Sequence, residues 1–261
     1  MLSKRHAEIL NLLETEGTVS ISAMAQHLSV SLETVRRDLR SLSENGTVVR
    51  IHGAVGLAGQ MGEAPFQRRM RENAAAKQAI AKAVAETISD GESIMLDTGT
   101  TTSFIARELM GHRRLTVVTN SSDVARTLAT VNGNRVYMAG GELRSDSGAA
   151  FGQSALKFVG RFTVNHSIIS AGAVDVSGVM DFDLGEAELA RTMLTCGDRK
   201  VVATDHTKYG RRGLVTVAAF SDIDELITDR QPPSAIAEIL AASGTKLTVA
   251  VGKSESRKKT G

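Results

Sequence analysis

The chain has 261 residues, of which 31 are Lys or Arg and 29 are Asp or Glu, so its formal charge is only +2 at pH 7. Hydrophobic residues make up 42% and aromatic residues 3%, which is typical of a globular protein with a mainly aliphatic core. At about 150 residues per domain, this length predicts two domains. A lone cysteine, Cys196, excludes an internal disulfide and a cysteine-based zinc site. Since no apolar run reaches the roughly 18 residues of a membrane span, we expect a cytoplasmic protein without a membrane partner.

Residues 1–56 form the first predicted domain, with three helices followed by a two-stranded ribbon. The first helix runs from about residue 4 to residue 16. Either Ser20 or Ser22 caps a short second helix, and after a three-residue turn Ser31 caps a third helix, LETVRRDLRSLSEN. The alternating residues TVVRIHGAVG then predict the ribbon. The expected core positions of the helices are Ile9, Leu10, Leu13, Met24, Ala25, Leu28, Val35, Leu39 and Leu42.

The third helix carries three arginines on one side. At about 100° per residue, Arg36, Arg37 and Arg40 project away from the predicted buried stripe. Arginine can read guanine or clamp phosphate, so an outer face of this kind suits the major groove of double-stranded DNA. The domain is neutral by charge count, and a solvated helix face is therefore the alternative interpretation. The predicted DNA-binding residues are Ser29, Ser31, Thr34, Arg36, Arg37, Arg40, Arg50 and His52.

Residues 57–75 are predicted to be a linker, and residues 76–251 a second domain. The linker includes the basic cluster RRMR at 68–71, which either contacts DNA, couples the two domains or lies in solvent. In the second domain the runs SIMLD, LTVVTN, RVYMAG, HSIISAG, KVVATD, ELITD and KLTVAV alternate with helical stretches. This alternation is typical of a mostly parallel sheet with helices on both faces. Residues 252–261 are predicted to form a disordered basic tail.

The sequence LDTGTTTSFIARELM places a strand end, a Gly/Thr-rich turn and a helix start in succession. Backbone N–H groups at such a helix start can hold a phosphate, and Gly99 allows the backbone to approach a ligand. Because the P-loop and GxGxxG patterns are absent, an ordinary βα turn is the alternative. Other strand ends are also polar, and ligands gather beyond the carboxyl ends of parallel strands. Among them, Asp205 and Lys208 offer a carboxylate for hydroxyls and a cation for phosphate, or else form a surface salt bridge.

Both predicted domains resemble the DeoR family of bacterial transcription regulators. The first contains RHAEILNLLETEGTVSISAMAQHLSVSLETVRRDLRSLSENGTVVRIHGA, of which VSLETVRRDL is the most specific part. In the second, KQAIAKAVAETISDG, LDTGTTT, VVTN, AGGELR, GEAELAR and TDHTKYGR follow the family pattern, so the resemblance covers about residues 4–250. One departure is Gly53-Ala54, where the family usually has two glycines. The resemblance implies a winged helix-turn-helix followed by an α/β, Rossmann-like sensor domain similar to ribose-5-phosphate isomerase and glucosamine-6-phosphate deaminase.

The resemblance also implies a repressor of carbohydrate or polyol metabolism genes. It would be a homo-oligomer, either a dimer or a tetramer, that leaves its double-stranded operator when a small phosphorylated metabolite binds. Stretches such as MAGGELRSDSGAAFGQSALKFVGRF and DHTKYGRRGLV are similar to the branch of the family that responds to glycerol 3-phosphate, which is therefore the expected effector. Family members use residues matching Lys77, Asp205 and Lys208 in their effector response. The predicted effector-binding residues are Lys77, Asp97, Thr98, Gly99, Thr100, Thr101, Thr102, Thr119, Asn120, Gly140, Gly141, Asp205 and Lys208.

The main alternative function is an active sugar-phosphate isomerase or deaminase with an attached DNA-binding domain. Such an enzyme needs a base placed for proton transfer. His112, His166 and His206 are scattered and form no Ser-His-Asp or metal-ligand spacing. We therefore expect no catalytic residue, metal or cofactor. The carboxylates that an enzyme could use are Asp97, Asp181, Asp183, Glu186 and Glu188.

Overall fold

The computed structural model describes residues 4–16, 18–51, 54–57 and 63–250. The chain divides into two compact units, Met1–Pro65 and Phe66–Gly261. We call them the DNA-reading unit and the sensor unit, after the roles that the sequence predicts for them. Among the described helices, none has the length and apolar character needed to cross a membrane.

The DNA-reading unit combines three helices with a small antiparallel sheet. The three strands lie in the order β1 (Thr18–Ser20), β3 (Ala54–Leu57), β2 (Val48–Ile51), so the predicted two-stranded ribbon gains a third strand from the segment before the second helix. Sequence reasoning missed β1 because three residues are too short to show an alternating pattern. The elements are α1 (Lys4–Glu16), β1 (Thr18–Ser20), α2 (Ile21–His27), α3 (Leu32–Glu44), β2 (Val48–Ile51) and β3 (Ala54–Leu57).

The core of this unit is the one that helical periodicity predicted. The expected positions on all three helices are buried, except that Leu10 and Leu28 are half-buried at its margin. The sheet adds Val19, Val48 and Val55. This aliphatic cluster fixes which side of α3 faces inward and therefore which side faces solvent.

The sensor unit alternates strands and helices along most of its length. Its helices are α4 (Phe66–Arg71), α5 (Ala74–Ala85), α6 (Thr100–Glu108), α7 (Ser122–Leu128), α8 (Gln153–Val159), α9 (Leu184–Thr195) and α10 (Ser234–Ser243). Its strands are β4 (Ser93–Leu96), β5 (Thr116–Thr119), β6 (Arg135–Met138), β7 (Val164–Ser170), β8 (Ala173–Asp175), β9 (Gly178–Asp181), β10 (Gly197–Ala203), β11 (Val215–Ala218), β12 (Glu225–Thr228) and β13 (Lys246–Val249).

Seven strands form one sheet, and they are the seven that the sequence predicts. Their order is β13-β12-β10-β7-β4-β5-β6, and every neighbouring pair is parallel. The chain moves from β4 through β5 to β6, and later places β7 on the opposite side of β4. The order of strands therefore reverses between β4 and β7, and in open α/β sheets ligands bind at the carboxyl ends of strands around such a point.

Each face of this sheet carries its own hydrophobic core. Side chains of α5, α6 and α7 pack on one face, and those of α8, α9 and α10 pack on the other. Neighbouring residues of β4 alternate accordingly, since Ile94 and Leu96 belong to the first core and Met95 to the second. The expected α/β architecture, with helices on both faces of a parallel sheet, is confirmed.

A second, antiparallel sheet with the order β11-β9-β8 was not predicted. Because β8 begins three residues after β7 ends, this sheet lies beside the carboxyl edge of the large one. The approach of β9 to β11 is close, since a Cβ on Gly178 would lie 2.4 Å from the Ala218 carbonyl oxygen. Strands as short as these carry little periodic signal in the sequence.

The predicted linker contains regular structure at both ends. Leu57 belongs to β3, and α4 and the start of α5 belong to the sensor unit, which begins at Phe66 rather than at the predicted residue 76. The Phe66 ring is buried, and the Phe66 backbone amide donates to the carboxylate of Asp146, a residue of the sensor unit that lies 80 positions later in the chain. The predicted tail at 252–261 lies outside the described residues.

Candidate functional site

Serine hydroxyls shape the start of α3. Ser31 caps the helix by accepting the Thr34 amide at 3.2 Å, and the two hydroxyl oxygens lie 2.8 Å apart. Ser29 lies in the preceding turn with a left-handed φ of 53°, and its amide donates to the Gln26 carbonyl. These three predicted DNA-binding residues therefore build the turn and the cap that aim α3, and Ser29 and Ser31 are also exposed.

Three arginines of α3 are exposed, as the helical wheel predicts. Arg36, Arg37 and Arg40 lie opposite the fully buried Val35 and Leu39. The side chain of Arg36 is 55% exposed, with Nη1 3.5 Å from the Glu33 carboxylate. An exposed ion pair of this length holds an arginine weakly, so the guanidinium can exchange it for a base edge or a phosphate.

Asp38, on the inner side of α3, was not singled out from the sequence. Its carboxylate accepts from Arg5 of α1 at 2.5 and 3.0 Å, and His6 lies 3.7 Å away. Hydrogen bonds from Arg5 lower the pKa of Asp38, against the opposing effect of burial. The pair joins α1 to α3. The helical wheel carried a signal for it, because three steps of about 100° from Val35 return Asp38 to the edge of the buried stripe.

The predicted wing is the hairpin of β2 and β3. Arg50 lies opposite Val55 in the antiparallel register. The side chain of Arg50 and the whole of His52 lie outside the described residues, so their expected DNA contacts stay predictions.

In the sensor unit, Asp97 and Ser170 join the two strands at which the sheet order reverses. Asp97 follows β4, and its carboxylate accepts the Ser170 amide at 2.9 Å and the Ser170 hydroxyl at 3.3 Å. Gly99 is needed for this approach, because a Cβ there would lie 2.1 Å from the Ser170 hydroxyl oxygen. Ser170 was not among the predicted residues.

The carboxyl group of Asp97 lies in an environment that disfavours its charge. Burial raises the pKa of Asp97 to about 7, although hydrogen bonds from Ser170 and Thr102 act in the opposite direction. The negative charge of Asp181, at the end of β9, raises it further. Asp97 is therefore poised between its neutral and ionised forms near neutral pH.

Helix α6 begins at this point with a run of buried hydroxyls. Gly99 provides no side-chain cap, and Thr100, Thr101, Thr102 and Ser103 are all buried. The Thr102 hydroxyl oxygen lies 3.1 Å from the carbonyl oxygens of both Asp97 and Gly99. Within the described part of the chain, the buried hydroxyls of Thr98 and Ser103 have no hydrogen-bond partner. A helix start with spare donors is suited to an anionic ligand.

The predicted residues after β5 and β6 differ in their surroundings. Thr119 is the last residue of β5 and Asn120 follows it, and both are fully buried. The Asn120 amide group donates to the Ala150 carbonyl at 3.0 Å, whereas its Oδ1 is buried and lacks a partner among the described residues. Gly140 and Gly141 follow β6 and are exposed at the outer side of the sheet. Thr119 and Asn120 thus adjoin the switch point, and the two glycines lie two strands from β4.

Asp205, after β10, is also buried and organises the next turn. It accepts the Thr207 amide at 3.0 Å, and Lys208 is half-buried at the end of this turn. The Asn73 side-chain nitrogen lies 3.5 Å from the Thr207 hydroxyl, so the start of α5 reaches the same place. Lys77, in the first turn of α5, is only 3% exposed, and its ammonium donates to backbone carbonyls.

The groups considered for catalysis have separate structural partners. His166 binds Glu92 at 3.0 Å, and His206 binds Asp229 at 2.7 Å. A single guanidinium, that of Arg144, holds Asp183 and Glu186, each at 2.7 Å. In the described part of the chain, no group of three or more His, Cys, Asp or Glu side chains could hold a metal ion.

A helix-turn-helix with an arginine-rich outer face and a wing precedes an α/β unit with a polar site at its switch point. This combination defines a ligand-responsive transcription regulator. The DeoR-like helix-turn-helix domain model matches residues 5–60, and the DeoR C terminal sensor domain model matches residues 72–230. The chain belongs to the DeoR family, as its sequence motifs indicate.

Several relatives are named transcriptional repressors. The glycerol-3-phosphate regulon repressor of Escherichia coli (strain K12) is 34% identical over 91% of this chain and 95% of that protein. The HTH-type transcriptional repressor CsqR of the same strain is 37% identical over 89% of both chains. The transcriptional repressor AccR of Agrobacterium fabrum is 33% identical over 86% of this chain and 88% of that protein.

Solved structures with a similar fold include enzymes and translation factors. Ribose 5-phosphate isomerase A from Neisseria gonorrhoeae is 19% identical over 52% of this chain and 53% of that chain, with a TM-score of 0.39. The eIF2B beta protein from Chaetomium thermophilum is 15% identical over 92% of this chain and 68% of that chain, with a TM-score of 0.44. Likenesses of this size are partial, and the fold assignment depends on the strand order.

Proposed function

We propose that this chain is a cytoplasmic repressor, without enzymatic activity, that a small phosphorylated polyol or sugar releases from double-stranded operator DNA. The carrying observation is the switch-point site, where the start of α6 presents buried hydroxyls beside Asp97 and Asn120. Glycerol 3-phosphate is the first candidate effector, supported by the motifs and by a relative named for the glycerol-3-phosphate regulon. We further propose that the chain works as a dimer or tetramer, because paired recognition helices match two operator half-sites.

The DNA half of this proposal depends on α3. Its cap and its core stripe fix the helix, so that the exposed Arg36, Arg37 and Arg40 are presented to a groove. With aromatic residues at 3% of the chain, base stacking on a single strand is disfavoured and reading of a duplex is favoured. Arg50 and His52 would add contacts from the wing.

The ligand half of the proposal depends on two kinds of group within one site, one suited to the phosphate and one suited to the hydroxyls of the effector. We expect the phosphate to lie at the start of α6, against its backbone amides and hydroxyls, with Lys208 as a nearby cation. Asp97, Asn120 and Asp205 would exchange hydrogen bonds with the hydroxyls of the effector, chiefly by accepting from them through their side-chain oxygens. The predicted Gly140 and Gly141 lie farther away and would contribute through the loop that follows β6.

The first experiment is a thermal-shift panel of phosphorylated polyols and sugars, with each unphosphorylated parent as control. The panel must extend beyond glycerol 3-phosphate. The repressor CsqR is 37% identical to this chain, against 34% for the glycerol-3-phosphate regulon repressor, and its name does not mention that compound. A ligand that binds the folded chain raises its melting temperature. The same ligand should release a fluorescent operator duplex in an anisotropy titration, while the parent alcohol does neither.

A variant tests the site within the same assay. Lys208→Ala should keep operator affinity but need at least about tenfold more ligand for release, since a cation beside the phosphate is lost. The control Lys157→Ala removes an exposed lysine from α8 and should behave as wild type. Normal induction of Lys208→Ala would remove that residue from the site. Product formation above background from any panel compound would contradict a function limited to regulation.

A further inference from the structure

Helix α4 is the first element of the sensor unit, and charged side chains from other elements hold both of its ends. It has six residues and directly follows Pro65, the last residue of the DNA-reading unit. A helix this short is not stable alone, because nucleation costs more than a few hydrogen bonds return. Its folded state therefore depends on the groups that hold it.

At the amino end the holding group is an anion. The Phe66 amide lies 3.1 Å from both carboxylate oxygens of Asp146. Asp146 lies in the loop between Leu143 and Ala150, which form a β-bridge with each other. The Ala150 carbonyl accepts from the Asn120 side chain at the end of β5. This end of α4 is thus connected, through one loop, to the proposed effector site.

At the carboxyl end the holding group is a cation. The Lys77 ammonium donates to the Glu72 carbonyl at 2.9 Å and to the Arg69 carbonyl. These carbonyls belong to the last turn of α4 and the residue after it, where a helix lacks internal donors and favours positive charge. The Lys77 backbone amide donates to Asn73, whose side chain faces Thr207 beside the buried Asp205. This end of α4 is connected to the other side of the proposed site.

We propose that α4 transmits effector binding to the DNA-reading unit, and that the effector phosphate withdraws Lys77 from the end of α4. The inference depends on the proposed function. A phosphate dianion attracts an ammonium more strongly than a neutral carbonyl does. Once Lys77 has turned to the phosphate, the final carbonyls of α4 lose their donor and the helix opens. The effector therefore favours the open state, and the chain that leaves Pro65 is no longer fixed.

Trypsin reports directly on this opening, because α4 contains three cleavage sites. Arg68, Arg69 and Arg71 lie within the helix and resist cleavage while it stays folded. Saturating effector from the thermal-shift panel should speed cleavage at these positions by roughly tenfold, which matches the loss of a hydrogen bond to a charged group. Mass spectrometry of the fragments separates these cuts from cuts elsewhere.

Variants test the two holding groups without any ligand. Lys77→Met and Asp146→Ala should each cleave at least roughly fivefold faster in α4 than wild type. Lys82→Met is the control for the first, because Lys82 is an exposed lysine on the same helix paired with Glu86 at 3.7 Å. Asp198→Ala, at an exposed position of β10, is the control for the second. Asp146 is itself exposed, so its removal leaves the core intact.

Three outcomes would overturn the proposal. The first is equal cleavage of Lys77→Met and Lys82→Met, together with equal cleavage of Asp146→Ala and Asp198→Ala. The second is a ligand that stabilises the chain and releases the operator but leaves cleavage in α4 unchanged, which refutes transmission while the proposed function stands. In the third, no phosphorylated polyol or sugar stabilises the chain, which contradicts the proposed function itself and removes the ligand from this mechanism.

Discussion

Asp38 in the DNA-reading unit and Asp97 in the sensor unit are both buried, yet the pKa values of their carboxyl groups are shifted in opposite directions. Asp38 is 6% exposed and Asp97 is 7% exposed. Hydrogen bonds from Arg5 hold the pKa of Asp38 below its ordinary value. Burial, with hydrogen bonds from Ser170 and Thr102 too weak to compensate, raises the pKa of Asp97 to about 7. The residues are similarly little exposed, but the Arg5 guanidinium favours the ionised form of Asp38, whereas the carboxyl of Asp97 is more deeply enclosed and titrates near neutrality.

The difference separates a structural contact at Asp38 from the proposed binding site around Asp97. Arg5 donates two hydrogen bonds to Asp38, which join α1 to α3 and help to orient the arginines of α3. Around Asp97 the polar groups are incompletely satisfied, since the hydroxyl of Ser103 and Oδ1 of Asn120 are buried without partners among the described residues. Buried polar groups without partners cost free energy, and a ligand that supplies the partners recovers it.

The largest expected effect concerns pH, through Asp97. In the unfolded chain an aspartate has a pKa of about 3.9, so between about pH 4 and pH 7 the folded chain holds a proton that the unfolded chain has lost. The stability of the sensor unit therefore falls as the pH rises through this window. Asp97→Asn cannot titrate, and relative to wild type it should gain on the order of 2–3 kcal/mol between pH 5 and pH 8.

Urea denaturation of wild type and Asp97→Asn at both pH values measures this gain. Asp38 has the opposite sign: its lowered pKa stabilises the fold above about pH 4, and that contribution is lost as the pH falls through the folded-state value. A stability difference between wild type and Asp97→Asn that does not change with pH would show that the carboxyl of Asp97 titrates normally.

The next effect concerns the pair between Arg5 and Asp38. Asp38→Asn should lower the free energy of unfolding of the DNA-reading unit, because an amide cannot satisfy both guanidinium donors. The loss is smaller than that of a fully buried ion pair, since the Arg5 side chain is 37% exposed and solvent screens it. Hydrogen exchange of amides in α1 and α3 measures the loss.

Glu44→Gln is the matched control for this variant. Glu44 is an exposed acid on the same helix, so its replacement should change stability by less than about 0.5 kcal/mol. An Asp38→Asn variant as stable as Glu44→Gln would mean that packing alone fixes α3, without help from the ion pair.

How much of this could be predicted differs between the fold and the site. All seven strands of the parallel sheet follow from short β-rich runs, and the core of the first unit follows from helical periodicity. The contact between Asp97 and Ser170 does not follow from such patterns, because it requires β4 to lie beside β7. In the chain, two other strands of the large sheet, β5 and β6, come between them. Local patterns contain no information about which distant strand becomes a neighbour.

Lys77 is a second residue whose contacts could not be predicted from local sequence patterns. Family resemblance assigned it to the effector response, and nothing in the sequence indicated that its ammonium binds the end of α4. The region of α4 was predicted to be a linker, because a basic segment of six residues is too short to show a helical pattern of hydrophobic positions. Besides the buried ring of Phe66, two charged groups hold this helix: Asp146, 80 residues from the Phe66 amide, and Lys77, 8 residues from the Arg69 carbonyl.

The smallest expected effect tests the DNA-reading unit where it is most exposed. Arg36→Ala or Arg40→Ala should weaken operator binding by about 1–2 kcal/mol, the lower part of the range for an arginine that reads a base. For Arg36 the reason is visible, since leaving Glu33 offsets part of what the base contact gains. Fluorescence anisotropy with a duplex operator gives the affinity, and Arg126→Ala, which truncates a side chain 85% exposed on α7, is the control.

Salt separates the two roles that each arginine can have. An arginine bound to phosphate releases a counterion, so its removal lowers the slope of log affinity against log salt by about 1. An arginine that reads a base leaves this slope nearly unchanged and instead relaxes the preference at one operator position. If both variants bind as tightly as Arg126→Ala at every salt concentration, the outer face of α3 does not enter the groove. In that case the cap at Ser31 and the pair at Asp38 would orient a helix whose exposed face does not contact DNA.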